Sequence, residues 1–319
     1  MQRDSKTKRT VVKMKTIIVS VLFMAGAAVL SAVETGMSAT KKILKEKGIV
    51  IAYPGWKLKA LAFSYDDGNI ADRKLVDIFD KYEMKGTFHI PSAWLKKKPK
   101  NRVTEAEIKI LYAGHEISGH GANHLSMAKL PQEKLEQELD EEIASWKRIT
   151  GKTILGYAYP YGSHSDKVIA EMKKRNLIYA RTVGRSKSFD LPADFLRWNP
   201  QAHHNQNIGQ LAEKYLVLKP AKMTILLIWG HSYEFAKADN WQIMEDFCKK
   251  MSGKKDIFYA TMGDIAGYVL ACRDLKISAD GKSLENQSVI NIYFIRNGKK
   301  HLLGPRESHP LQPDSEKEN

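Results

Sequence analysis

From Lys59 onward, short apolar runs alternate with longer stretches in which apolar and polar positions recur at helical spacing. "KALAFSY" is followed by "ADRKLVDIFDKYEMK", and "GTFHIP" by "TEAEIKILYAG". "HEISGH" precedes the strongly helical "PQEKLEQELDEEIASWKRITG", with Pro131 near its start and Gly151 just past its end, where those residues suit helix termini. "ILGYAYP" leads to "SDKVIAEMKKRN", and "LIYARTV" to a loop around "FDLPADFLRWNP". "MTILLIWG" precedes "NWQIMEDFCKKMS", and "DIFYA" precedes "MGDIAGYVLACRDL". A strand followed by a helix, about seven times over, predicts an α/β fold whose parallel sheet is closed or nearly closed into a barrel over residues 39–275. No fixed-period repeat is present. After about Ile277 the pattern changes to short strands with a turn at Arg296-Asn297-Gly298, a small β appendage over 276–310. Residues 311–319 read as a polar tail.

The first 38 residues carry a different pattern. Arg3, Lys6, Lys8, Arg9, Lys13 and Lys15 face only Asp4, and the next stretch, Thr16 to Val33, has no charge. A basic segment, an apolar core and small residues at Ser31 and Ala32 predict a signal peptide. The apolar run is also at the lower length limit for a membrane span, so an uncleaved anchor is the other reading. Either one predicts an exported protein of the periplasm, cell envelope or exterior. The whole chain has 51 Lys+Arg against 36 Asp+Glu, a formal charge of +15. That excess suits anionic surroundings such as an envelope surface. No basic stripe with interleaved aromatics is present, so nucleic acid is not expected. Cys248 and Cys272 show neither metal spacing nor a disulfide framework, leaving one bridge or two buried thiols open.

In a β/α barrel the active site lies at the C-terminal ends of the strands, and chemistry-bearing residues fall there repeatedly. "FSYDDG" places Asp66 and Asp67 after the first strand. In a continuing strand they would point to opposite faces, but a turn on Gly68 lets both lean toward one mouth. A solvated Asp-Gly turn is the plainer alternative. His120 and His124, in "SGHGANHLSM", follow the third strand, and a helix-like turn would set both imidazoles on one side. "YPYG" (Tyr159 to Gly162) follows the fourth, Arg181 closes the fifth, and His231 in "WGHSYEF" ends the sixth. Two imidazoles with one carboxylate match a catalytic zinc site with an open position, or a non-haem Fe(II) triad. The spacing of the Asp from the histidines favours hydrolysis over oxygenation. With Asp67 on the metal, Asp66 is free to act as base toward an activated water. His231 then protonates the leaving group.

"FSYDDG", "HGANH", "YPYG" and "LLIWGH" resemble, in order and spacing, the motifs of the polysaccharide deacetylase (NodB-homology, carbohydrate esterase 4-like) family, over roughly Lys59 to Leu275. The resemblance implies a distorted (β/α)7 barrel and a divalent metal, zinc first with Co, Ni, Mn or Fe as alternatives, held by Asp67, His120 and His124. It also implies Asp66 as base, His231 as acid, the backbone N–H of Tyr161 at the oxyanion, and an acetylated glycan as substrate, N- or O-acetylated. Tyr161, Trp198 and Trp241 are the aromatics expected to line the groove, against core packing as the other reading. His203-His204 offers a further polar contact or is incidental. Three departures stand out. An arginine usually precedes the proline of the third motif by two residues and holds the base, whereas Ala158 stands there. Leu177, Tyr179 and Arg181 share a strand face, so the guanidinium of Arg181 is expected to reach Asp66 instead. The fourth motif, an acidic residue with a tryptophan that tunes the acid histidine, is only loosely echoed by Asp190, Asp194 and Trp198. Gly121 replaces a residue that often carries a hydroxyl. A non-catalytic sugar-binding relative and a metal-dependent amidase acting on a non-carbohydrate amide are the competing functions.

Overall fold

Lys59–Asp66 is buried along its whole length, as a strand must be when both faces of a parallel sheet are covered. The computed structural model describes residues 40, 42–97 and 100–311, so the stretch expected to be a signal or anchor and most of the polar tail lie outside the described residues. Among the described residues no helix is long and apolar enough to cross a membrane. Numbered along the chain, β1 is Ile49–Ala52, β2 Lys59–Asp66, β3 Gly86–Ile90, β4 Glu116–Gly119, β5 Gly156–Ala158, β6 Tyr179–Arg181, β7 Ala202–His203, β8 Thr224–Gly230 and β9 Ile257–Tyr259. Seven of these form a curled parallel sheet in the order β6-β5-β4-β3-β2-β8-β7, and β9 pairs with the start of β2. This is the NodB-like (β/α)7 arrangement, left open between β6 and β7. The loop after β6 crosses that opening with its backbone paired on both sides: Trp198 N–H donates to Ala180 O at 3.0 Å, and Gln201 N–H to Leu227 O at 3.0 Å.

The period-2 alternation of β2 divides the core in two. Leu61, Phe63 and Tyr65 face outward into a cluster covered by the helices Asp72–Lys81, Gln132–Thr150 and Gln242–Met251. Ala60 and Ala62 face the concave side with Ile225, Leu227 and Tyr179, and the helix Met262–Arg273 plugs that side with Met262, Ile265, Ala266 and Val269. Full burial of each Leu, Ile, Val, Met or Phe side chain among them contributes roughly 1.5–3 kcal/mol. Cys248 and Cys272 are free buried thiols belonging to these two different clusters.

Trp198, expected at the groove, is instead 1% exposed. Its edge-on contacts are with Phe195 at 4.8 Å and Tyr179 at 6.1 Å. Because the loop backbone is drawn into pairing beside β6, its side chain is turned into the concave core rather than the mouth. Beyond Leu275 two small antiparallel sheets form. One joins β10 (Lys276–Ile277), β11 (Ser283–Glu285) and β14 (Ser308–Pro310); the other joins β12 (Ile292–Arg296) and β13 (Lys299–Leu303) through Asn297-Gly298, whose φ angles of 48° and 76° suit a tight hairpin. β1 pairs with β12, so a strand that precedes the barrel completes the appendage.

Candidate active site

The site grows from the ends of β2, β4, β5, β6 and β8. At the end of β2 the chain turns at Asp67 (φ 80°), whose N–H donates to His89 O at 2.9 Å. After β4 the chain makes a tight turn rather than a helix: Gly121 has φ 75°, His124 has φ 58°, and His124 N–H donates to Gly121 O at 3.2 Å. Gly121 fits here because a Cβ would press on Pro160 in addition to needing a left-handed backbone. The turn sets the two imidazoles edge to face, 4.7 Å apart. His120 Nε2 and His124 Nε2 lie 3.8 and 3.7 Å from Asp67 Oδ1.

The donor set fits a divalent cation. Asp67, His120 and His124 each offer one ligand atom, all within 4.8 Å of one another. Asp67 Oδ1 is buried without a hydrogen-bond partner. His120 Nδ1 sits 2.8 Å from Ala158 O, so it carries the proton and leaves the Nε2 lone pair facing inward, the arrangement of a ligating histidine. Burial, outweighing nearby carboxylates, lowers His120; burial and then His120 pull His124 down to about 4. Both rings are therefore neutral at pH 7, as ligation requires.

Asp66 stands beside this set, its Oδ2 3.8 Å from His120 Nε2. The fully buried Arg181 donates to Asp66 Oδ2, to Ser64 Oγ at 2.8 Å and to Thr182 O at 3.1 Å, with its guanidinium 4.3 Å from the centre of the Trp229 ring. Ala158 and Arg181 are register partners on neighbouring parallel strands, so their side chains share the concave face. Burial pushes the Asp66 carboxyl up, but Arg181, followed by His120 and His231, outweighs it and holds Asp66 well below the usual carboxylate range.

His231 Nε2 lies 4.0 Å from Asp66 Oδ2, while its Nδ1 lies 3.3 Å from Glu234 Oε1. Burial disfavours the charged ring, but Glu234 and then Asp66 outweigh it, leaving His231 above its ordinary value. Sequence reasoning missed Glu234. Its signal was the spacing: three residues past His231, at the start of the helix Ser232–Ala238, it returns to the same side. The residues thought to echo the fourth motif are elsewhere. Asp190 pairs with Lys222 at 2.8 Å, and Asp194 caps a helical turn by accepting from Leu196 N–H at 2.9 Å.

His203, His204 and Glu234 form a second group of three candidate ligands among the described residues. Glu234 Oε2 lies 3.1 Å from His203 Nε2 and 2.9 Å from His204 Nε2. However, His203 Nδ1 accepts from Asn205 N–H at 3.2 Å, so the proton of the neutral ring is on Nε2 and faces Glu234. This group holds a carboxylate rather than a cation. Of the expected aromatics, Tyr161 is at the mouth: it is 71% exposed, has φ 57°, and sets its ring 4.7 Å from that of His124. Trp241 is half-buried, packed on Phe235 at 5.1 Å with the Lys74 ammonium 4.9 Å from its ring. The contacts of that ring are with the helical layer.

The sequence matches the polysaccharide deacetylase family over residues 56–180. The matched segment is about two fifths of the chain. It carries Asp66, Asp67, His120 and His124, whereas Arg181, His231 and Glu234 lie beyond it. Among curated relatives, the chain is 32% identical over 102 residues to YlxY of Bacillus subtilis strain 168, covering 32% of this chain and 30% of that protein. It is 26% identical over 100 residues to the peptidoglycan deacetylase of Helicobacter pylori strain ATCC 700392 / 26695, covering 31% and 32%. The chain thus spans about a third of the length of these two relatives. In fold it is similar to a crystal structure of a Mycobacterium smegmatis protein assigned to the polysaccharide deacetylases, with a TM-score of 0.53, 16% identity, and coverage of 70% of this chain and 94% of that one.

Proposed function

We propose that this protein is a metal-dependent hydrolase that removes acetyl groups from an N-acetylated carbohydrate polymer or oligomer. The observation that carries the reading is the juxtaposition of a cation-ready Asp67–His120–His124 set with an Arg-held carboxylate and a Glu-held imidazole. Asp67, His120 and His124 would hold the cation, zinc being the first choice for two imidazoles and a carboxylate. When bound, it supplies Lewis-acid activation of the acetyl carbonyl and of water.

The chain's own residues supply the rest. Asp66, kept ionised by Arg181, takes the proton of the attacking water. His231, whose charged form Glu234 and Asp66 favour against burial, gives a proton to the departing nitrogen. An amide nitrogen leaves poorly unless protonated, so a carboxylate and an imidazolium held 4.0 Å apart suit amide more than ester hydrolysis. Tyr161, exposed beside His124, is the sugar-stacking candidate at the mouth, and its backbone N–H is the oxyanion donor that the family likeness implies. Export through the uncharged Thr16–Val33 stretch, and retention near anionic envelope polymers by the positive charge, complete the reading. Ala158 alone would favour a non-catalytic relative; Arg181 at Asp66 favours the enzyme.

The test is acetate release from a panel of N-acetylhexosamine oligomers and acetylated xylan, paired with metal analysis of variants. Asp66→Asn is expected to keep its metal and to lose turnover by about 10³-fold or more. Asp67→Ala and His120→Ala are expected to lose the metal. Equal metal loss in Asp66→Asn and Asp67→Ala would overturn the division of roles. Cleavage of acetylated xylan with refusal of every N-acetylhexosamine substrate would overturn the substrate.

A further inference from the structure

Helix Gln132–Thr150 turns two carboxylates inward one turn apart, Glu138 and Glu142, 1% and 0% exposed. Among the described residues neither has an ion-pair partner. Their oxygens accept instead from the loop that carries the candidate metal histidines and from the start of the helix beside it. Glu142 Oε1 accepts from the His120 N–H at 2.8 Å, and its Oε2 from the Ser92 N–H at 3.0 Å. Glu138 Oε1 accepts from the Asn123 N–H at 2.6 Å, and its Oε2 from Asn123 Nδ2 at 3.0 Å. Ser92 opens the helix Ser92–Lys97, whose Trp94 ring lies 5.1 Å from that of His124. One carboxylate thus grips the backbone of His120 and the helix flanking His124, and the other grips the residue before His124.

A cohesive core does not require this arrangement. Leu135, Leu139, Trp146 and Ile149 already bury the same helix face, and a carboxylate removed from water is costly unless each oxygen finds donors. Here all four donors belong to that loop or to the start of that helix. We propose that Glu138 and Glu142 are positioning residues for the metal centre, clamping the His120–His124 turn at the spacing that meets Asp67. This inference rests on the metal reading of Asp67, His120 and His124.

The test measures zinc affinity of the full chain by competition with a chromophoric chelator, alongside the visible spectrum of the Co(II) form and the unfolding midpoint of the metal-free form. Gln in place of Glu142 keeps the shape but turns an NH2 toward one of the two N–H donors. Glu142→Gln is expected to bind zinc about 10- to 100-fold more weakly and to shift the Co(II) bands, with Glu138→Gln weaker by several-fold. Leu139→Ala, on the same face, loses stability by cavity formation and should keep zinc affinity within about 3-fold of wild type. Zinc binding by Glu142→Gln within that same margin, or equal weakening in Leu139→Ala while folded, overturns the inference. If Glu142→Gln does not fold, Glu138→Gln against Leu139→Ala makes the same comparison. A wild type that takes up no stoichiometric zinc, or a His120→Ala variant that binds as tightly, defeats the metal reading itself, a result distinct from either of those.

Discussion

Removing the Arg181 guanidinium strands Asp66 in the barrel interior, and moving it one strand over should retrieve it. Arg181 and Asp66 are both essentially buried, and removing one partner of such a pair costs about 3–5 kcal/mol because the remaining charge is uncompensated. The pH dependence distinguishes this from a packing loss. In the wild type Asp66 is depressed, so its stabilising contribution is complete above the unfolded carboxylate value and is lost only as pH falls through the lower folded value. Without Arg181 burial prevails and the folded value rises above the unfolded one, so the penalty is full near neutrality and is relieved by acid. Each unit of that rise is worth about 1.4 kcal/mol. Urea unfolding of the metal-free protein should therefore show Arg181→Ala about 3–5 kcal/mol less stable at pH 7, the gap narrowing by at least about 1.4 kcal/mol at pH 4. Deacetylation should fall by about 10²-fold as the base loses its orientation. Ala158 is the register partner of Arg181, so Ala158→Arg combined with Arg181→Ala presents a guanidinium to the same space and should restore at least half of both losses. A stability gap that is the same at pH 7 and pH 4, or a double variant no better than Arg181→Ala, would refute the assignment.

His231→Ala should damage cleavage of an N-acetyl amide far more than that of an aryl acetate, whose leaving group needs no proton; equal losses would exclude His231 as the acid. Glu234→Gln should lower the raised His231 value, so the basic limb of the kcat/KM profile moves down by about one pH unit; an unmoved limb would disconnect the two residues. Gly230→Ala would put a Cβ onto the ring of His204, which is stacked between Tyr65 and Phe235, and should cost about 1–3 kcal/mol by thermal or urea unfolding; a neutral effect would show that the ring moves freely.

The alternation of strand and helix was readable from Lys59 onward because each barrel strand is a short apolar run and each outer helix carries a single buried stripe. The Asp-Asp and His-x-x-x-His spacings were legible as well, since neighbouring loops at one end of a parallel sheet converge whatever their detailed shape. The shape itself was not legible. His120 and His124 meet through a left-handed turn, which spacing cannot tell from a helical one. Trp198 looked like a groove residue from its polar neighbours, but non-local backbone pairing beside β6 decided its fate. Glu234 is hidden in the sequence because the family-like spacing points to the distant Asp190 and Asp194 loop, whereas the acidic partner of His231 lies one helical turn away. Nothing in the four residues of β1 announces a partner about 240 positions later, so the sequence alone places them with the barrel.

Asp67, His124 and Tyr161 all sit at positive φ, a conformation that costs a residue with a Cβ on the order of 1 kcal/mol or more. Glycine adopts those angles without that cost, and asparagine at a smaller one. Strain of the same kind at Glu83 or Arg306 can be relieved without touching the site, but at these three positions the gain in heat resistance removes residues that bind and shape it. A library sorted on thermal survival alone should drift toward hardy, inert proteins. Selection that counts only the folded molecules will see these three residues as defects, and selection that counts acetate will keep returning them.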